Sequence, residues 1–239
     1  MAVGVVAALE AEARTLGRAV LRPDGLSALS EGALLAVSGM GSTRAAIAAA
    51  RLADAGVSAL LSFGLAGGLD PRLRAGTVVV PGEIISRAGV RFATSAQWRD
   101  QFRAALAGEP PTVSGVLLGS ADPIDSVADK AAAFRDTGAA AVDMESLGIA
   151  EVAAARGLPF IAIRVIVDTA ADALPQAVMA ASRGAGISVS RLIGGLASAP
   201  RELPALLALA RRYRAAMRAL RAVAGSGLRA PMRAQVPIS

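Results

Sequence analysis

Apolar runs closed by turn-forming residues recur along the chain, at Val3–Leu9, Leu34–Ser38, Ala59–Phe63, Thr77–Val80, Val113–Leu118, Ala139–Val142 and Phe160–Val167. Short runs of aliphatic and β-branched residues bounded by Gly, Pro, Ser or Asp predict strands buried on both faces. Between most of them the apolar spacing becomes helical. Ser42 stands where it would cap a helix through Ala55, and Ser126 one through Phe134. An Ala-rich helix follows Glu145 as far as Arg156, where Gly157 and Pro159 stop it. Strand alternating with helix predicts an α/β fold with a central, mostly parallel or mixed sheet flanked by helices. Ligands in such folds bind near the carboxyl ends of the strands.

The 239 residues, 54% of them hydrophobic, suffice for one well-buried domain, expected over residues 1–200. Pro200 and Pro204 then introduce an Ala/Leu/Arg helix pattern over residues 201–224, and Gly225, Ser226, Gly227, Pro231 and Pro237 predict a flexible tail over 225–239. The net charge of +6 belongs to this end: residues 201–239 hold eight Arg and one Glu, so the preceding 200 residues are nearly neutral. A neutral body without a recognisable motif argues against nucleic acid as a partner. The chain has neither cysteine nor histidine, which excludes disulfides and thiolate chemistry, removes the commonest metal ligands, and leaves proton transfer mainly to Asp and Glu. No metal and no cofactor are expected. No apolar stretch is long enough to span a bilayer and no signal core precedes Glu10, so a cytoplasmic location is expected.

Four segments at strand ends carry candidate chemistry. Glu10–Glu12 follows the first strand, where a carboxylate would serve either as a base or as a partner of the next helix's dipole. The run Ser62–Pro71 is rich in glycine, which lets backbone approach a ligand closely or simply makes a turn. Val142-Asp143-Met144-Glu145-Ser146 sets two carboxylates and a thioether where a strand becomes a helix; Glu145 is suited to accept hydrogen bonds from two ribose hydroxyls, or to be a first-turn helix acid. Asp168 ends the strongly apolar strand beginning at Phe160, where a low-dielectric wall raises its proton affinity and suits a general acid; a helix-capping role is the alternative.

The order and spacing of Val3–Glu12, Ser38–Gly41, Gly64–Val80, Val142–Ser146 and Pro159–Asp168 resemble the nucleoside phosphorylase and nucleosidase superfamily, particularly the methylthioadenosine/S-adenosylhomocysteine nucleosidase branch. The resemblance implies its three-layer fold and cleavage of the N-glycosidic bond of an adenine nucleoside. It makes Glu12 the residue that activates water, Met144 and Glu145 the ribose site, and Asp168 the acid that protonates the purine. Gly67, Phe63 and Ile124 are expected near the substrate, Arg164 beside the carboxylates as a partner of Glu145 or Glu12, and Ser42, Arg44 and Arg14 as candidates for phosphate should that be a co-substrate. A narrower similarity, carried by SFGLAGGLDPRLRAG, AVDMES, LPQAV and PRELPALLALARR, is to the hopanoid-associated phosphorylase group. It implies adenosylhopane, a nucleoside bearing a pentacyclic lipid on its 5′ carbon, as substrate. The alternatives are a nucleosidase for small 5′-thio substrates and a non-catalytic nucleoside- or lipid-binding protein. A homo-oligomer, most simply a dimer, is expected.

The chain departs from the superfamily pattern at Leu65, where a hydroxyl residue is usual, at Ser62, where phosphorylases commonly present an arginine, at Val167, which replaces a small residue, and at Ile124, which replaces an aromatic; Phe63 or Phe92 would then stack on the base. With no evident phosphate ligands, water is the expected nucleophile. In the final helix Leu206, Leu209, Ala210, Tyr213, Met217 and Leu220 form one stripe flanked by Arg211, Arg214, Arg218 and Arg221. This amphipathic pattern predicts either a helix closing the domain or a peripheral contact with the anionic inner membrane surface, and the two are compatible.

Overall fold

The structure, a computed structural model, describes residues 2–17, 25–29, 32–106, 110–173 and 203–227. β1 (Val3–Ala7) lies parallel between β3 (Ala33–Val37) and β4 (Ala59–Gly68), and β2 (Leu26–Leu29) adds an antiparallel edge on β3. β11 (Phe160–Asp168) runs parallel to β4 over nearly its whole length. The other edge of β4 is shared: β1 holds its first half through Ser62, and β10 (Ala141–Asp143) pairs antiparallel with Gly67 and Gly68. From β10 the sheet continues through β9 (Val116–Gly119) and β6 (Glu83–Ser86) to β7 (Arg91–Ala93), while β5 (Val78–Val79) and β8 (Thr112–Val113) extend from β11. The mixed sheet therefore forks at β4, and the ends of β1, β10 and β11 converge on its second half.

Strand alternation sorts the core into two layers. Val3, Val5, Leu61, Phe63, Ile161 and Ile163 pack with Trp98 and Phe102 of α3 (Ala96–Leu106) and with Ala216, Met217 and Leu220 of α6 (Leu203–Ala222). On the opposite face Val6, Leu60, Ala162 and Ile166 pack with Ala45, Ala49 and Leu52 of α2 (Ser42–Asp54) and Ile149 and Ala153 of α5 (Ser146–Ala155). α4 (Val127–Thr137) covers a third cluster containing Leu69, Leu118, Ile124 and Val142. The short α1 (Glu10–Ala13) follows β1 directly.

All seven expected strands are present in whole or part, but three details differ. The glycine-rich run is a strand rather than a turn, because it fills the fork between β10 and β11. The strand expected over Val113–Leu118 is two, interrupted at Gly115, whose φ of 157° is in the region that favours glycine. Ser126 caps α4 as expected, its hydroxyl accepting from the Asp129 amide at 3.0 Å, whereas Gly41 rather than Ser42 is the N-cap of α2. The Gly41 φ of 105° would strain a serine there. In α6 the second half packs on the domain, one of the two roles its pattern allowed, while Leu207 (53% exposed), Ala210 and Tyr213 (36% exposed) face solvent. The Pro200 boundary, the Leu206 side chain and tail residues 228–239 lie outside the described residues. No described helix is long and apolar enough to cross a membrane.

Helices α2 and α5 meet at Gly148, where an added β-carbon would stand 2.4 Å from the Ser42 backbone oxygen. Backbone cannot retreat as a flexible side chain does, so Gly148→Ala is expected to destabilise the protein by about 1–3 kcal/mol through overpacking. Thermal unfolding measures this; an unchanged midpoint would mean that the two helices do not touch as described.

Candidate active site

The converging strand ends gather charge around Arg164, which is 1% exposed. It stands on β11 opposite Gly64 of β4. Its Nε lies 2.5 Å from Asp143 Oδ2, and its Nη2 donates to Ser62 Oγ at 2.6 Å and to Ser146 Oγ at 3.1 Å. Glu145 Oε2 is 3.9 Å from the same nitrogen. Gly64 makes this possible: a β-carbon there would stand 2.5 Å from Arg164 Nη1 and 2.7 Å from Glu12 Oε1. Among the described residues Nη1 has no hydrogen-bond partner.

Glu12 enters from α1, just after β1. Its Oε2 accepts from the Ala8 and Leu9 amides at 3.1 and 3.0 Å, and Oε1 accepts from the Leu65 amide at 2.9 Å. Burial raises its proton affinity, while the Arg164 charge and these amides pull the other way. Glu145, immediately before α5, accepts from the Gly41 amide at 3.0 Å. Burial, opposed by Arg164 and reinforced by Asp143, pushes it from its ordinary 4.5 up to about 7. The two carboxyls are thus held differently, Glu12 by three backbone amides and Glu145 by one.

Asp168 closes β11. Between Ile166 and Asp168 the register shifts by one, so that Asp168 stands opposite Gly67 rather than Gly68. A bulge at Val167 thus aims the carboxylate into the fork. Asp168 is buried, which raises its proton affinity as the sequence suggested, but it is not in an apolar setting: it is ion-paired with Lys130 of α4. Lys130 is itself fully buried and also donates to the Thr169 and Asp172 carbonyls at 3.0 and 2.7 Å.

The expected site residues divide accordingly. Glu12, Glu145, Arg164, Asp168 and Gly67 come together at the fork. Half-buried Met144 lies between β10 and Glu145, and Ile124 packs in the cluster of Val142, the residue opposite Gly67. Phe63 does not join them: it is sealed in the core under α3 and α6. Phe92 is half-buried on β7 in the α2/α5 layer. Arg14 does not join them either: its exposed side chain pairs with Glu10 at 3.0 Å. Ser42 packs on Gly148, and Arg44 lies over Gly39. Sequence reasoning gave no role to Lys130, nor to Ser62 and Ser146 as the hydroxyl bridge to Arg164, whose oxygens are 3.0 Å apart. One signal for Lys130 was available, since it is the only lysine among 25 basic residues.

The chain matches the Phosphorylase superfamily over residues 29–194, most of its length, and belongs to that superfamily. A search of curated proteins gave no match. Among solved structures, Helicobacter pylori 5′-methylthioadenosine/S-adenosylhomocysteine nucleosidase with butyl-thio-DADMe-Immucillin-A is similar with a TM-score of 0.67 and 15% identity, covering 94% of this chain and 98% of that one. Helicobacter pylori futalosine hydrolase gives 0.65 and 17%, covering 83% and 97%. S-adenosylhomocysteine nucleosidase from Streptococcus pyogenes with 5-methylthiotubericidin gives 0.64 and 23%, covering 72% and 85%. At these identities the likeness establishes the fold, a mixed sheet flanked by helices as expected from the sequence.

The raised Glu145 affinity has a thermodynamic consequence. Between its ordinary 4.5 and about 7 the folded protein keeps a proton that the unfolded chain has lost. Glu145 therefore favours the fold most below 4.5, and this contribution disappears as pH rises through 7. Denaturant unfolding at about pH 5 and about pH 8 should show a stability difference smaller in Glu145→Gln than in wild type, by on the order of 2–3 kcal/mol. Equal differences in the two proteins would place the Glu145 proton elsewhere.

Proposed function

We propose that this chain cleaves the N-glycosidic bond of an adenine nucleoside, with water as nucleophile. The arrangement at the fork carries the reading: one buried acid opposite Gly67 and two carboxyls of different attachment around Arg164, within a superfamily of glycosidic-bond enzymes. Glycosidic cleavage develops positive charge on the sugar and negative charge on the base, so it calls for an acid at the base and an anionic environment at the sugar. Asp168 delivers a proton to purine N7 and accepts from the exocyclic amine. Glu145 binds the 2′ and 3′ hydroxyls while Met144 packs on the ribose. Glu12, fixed by three amides, takes a proton from the attacking water. The lean toward water is supported by Arg14 being engaged with Glu10, and Ser62 with Arg164; Arg44 and Ser42 remain candidates for phosphate. Asp168→Asn is expected to slow adenine release by roughly a hundredfold or more. Glu12→Gln should do so only if water is the nucleophile, since phosphate arrives already anionic. Full rate in Glu12→Gln with ribose 1-phosphate as product would reverse the choice of nucleophile, and near wild-type turnover in Asp168→Asn would end the assignment of the acid.

For the substrate we propose adenosylhopane. Besides the motif similarity, the placement of α6 supports a lipid-bearing 5′ carbon: it contacts the turn Arg14–Leu16 just after Glu12, and its Arg212 pairs with Asp172 at 2.8 Å, four residues beyond Asp168. The exposed Leu207, Ala210 and Tyr213, with exposed Arg211, Arg214, Arg218 and Arg221, thus lie on the helix that borders both ends of the site. A small 5′-thio nucleoside is the second reading, favoured by the solved nucleosidases of the same fold. The arginine face suits peripheral contact with anionic lipid, each arginine near the surface contributing on the order of 1 kcal/mol. Sedimentation with anionic but not neutral vesicles, release by salt, and loss of binding in Arg214→Glu/Arg218→Glu with turnover of soluble adenosine spared are the expected results. Equal recovery with both vesicle types, or with neither, would remove the membrane contact.

A further inference from the structure

Every basic side chain of this protein is arginine except one, and that one faces the acid of the proposed site. The two residue types differ in what they can do with a proton. A guanidinium stays charged throughout the accessible pH range, whereas a lysine ammonium can release a proton when its surroundings favour the amine. Arg164, among the carboxyls of the sugar side, fits permanent charge. The position beside Asp168 holds the one basic side chain of the protein that is able to give up a proton.

The geometry is that of a closed relay. Lys130 is 0% exposed, and its three N–H groups are directed to the Asp168 carboxylate, the Thr169 carbonyl and the Asp172 carbonyl. Of these acceptors only Asp168 can take up a proton. The other charged groups facing this corner are committed elsewhere: the Asp172 carboxylate accepts from the Thr169 amide and hydroxyl and pairs with Arg212 of α6, and Asp129 of α4 is turned to Ser126.

We propose that Lys130 is the proton reservoir of the site, replenishing Asp168 as Asp168 protonates the departing base. This inference rests on the reading of Asp168 as the acid. In the resting pair the ammonium faces the carboxylate. As the C1′–N9 bond breaks and its electron pair passes to the purine, one proton moves from Lys130 Nζ to the Asp168 carboxylate and one from Asp168 to N7. The base leaves neutral, Asp168 is again a carboxylate, and Lys130 is left as an amine with its lone pair. The proton that Glu12 takes from water returns to solvent, and solvent restores the ammonium once the site opens. Lys130 touches no reacting atom and acts through Asp168, as a positioning residue.

The test compares wild type, Lys130→Met and Lys130→Arg on two substrates: adenosine, whose base must be protonated, and 4-nitrophenyl riboside, whose leaving group departs as a stable anion. Adenine release by Lys130→Met is expected to fall by roughly a hundredfold. Its alkaline limb in the pH profile should move to lower pH, whereas loss of a mere ion pair would move it to higher pH, since Lys130 lowers the proton affinity of Asp168. Lys130→Arg, which keeps the charge but cannot release a proton, should also be slow on adenosine. Both variants should cleave the nitrophenyl riboside within a few-fold of wild type, which also reports that they fold. If Lys130→Arg releases adenine at the wild-type rate, if the alkaline limb stays in place or moves to higher pH, or if both substrates slow equally, Lys130 is only an anchor and the proposal is overturned. Should Lys130→Met not fold, Lys130→Arg decides alone. Wild-type protein that releases no adenine from any adenine nucleoside would instead remove the underlying functional reading.

Discussion

One buried guanidinium serves three buried carboxyl groups, and the rest of the site follows from that imbalance. Glu12, Asp143 and Glu145 all lie within the electrostatic reach of Arg164, yet only Asp143 holds it in a close ion pair. Charges removed from water must be neutralised or left protonated. Asp143 takes the neutralising role, and the other two are left with raised proton affinities. The same cation therefore fixes geometry through one carboxylate and makes the remaining two chemically adjustable. Gly64 is the covalent condition for this, because any side chain there would occupy the space that Arg164 and Glu12 share.

A chain without histidine must find its near-neutral groups another way. Here burial does that work, and its effect differs by address. Burial of Glu12 is opposed by Arg164 and by amides from the end of β1 and from within β4, that of Glu145 by Arg164 and a single amide at the start of α2, and that of Asp168 by an ammonium. Three carboxyls thus acquire three distinct environments, the condition under which proton affinities separate within a single residue type.

Much of this architecture was legible in the sequence, because strands buried on both faces read as unbroken apolar runs and their ends are marked by polar residues. Position alone marks Glu10–Glu12, Glu145 and Asp168 as candidates with a helix-end role open for each, while the resemblance to the superfamily singles out Glu12 and brings in Arg164. What escaped was the product of register and pairing. Phe63 looks like a candidate for stacking until the packing of β4 seals it in the core under α3 and α6. The aim of Asp168 depends on a bulge at Val167 that no local propensity announces. Lys130 sits mid-helix in an Ala-rich segment whose exposed and buried faces differ little in composition, so its full burial follows only from how α4 lies against the end of β11. Strands β2, β6 and β7 are short or polar enough to pass for loops.

The placement of β11 also orders the events by which the molecule can form. Glu12 comes near the start of the chain and Asp143 and Glu145 some 130 residues later, yet their common counter-charge is carried by a strand made later still. β11 then inserts between β4 and β5 rather than adding at an edge. Contacts this distant in sequence are slow to form, since the chain must be looped before they repay it. Before β11 arrives, the pocket between β1, β4 and β10 cannot be dried without stranding anions. Desolvation of the interior, closure of the sheet and completion of the site are therefore one event, and a nascent chain that stops short of Arg164 holds a half-sheet that must stay wet.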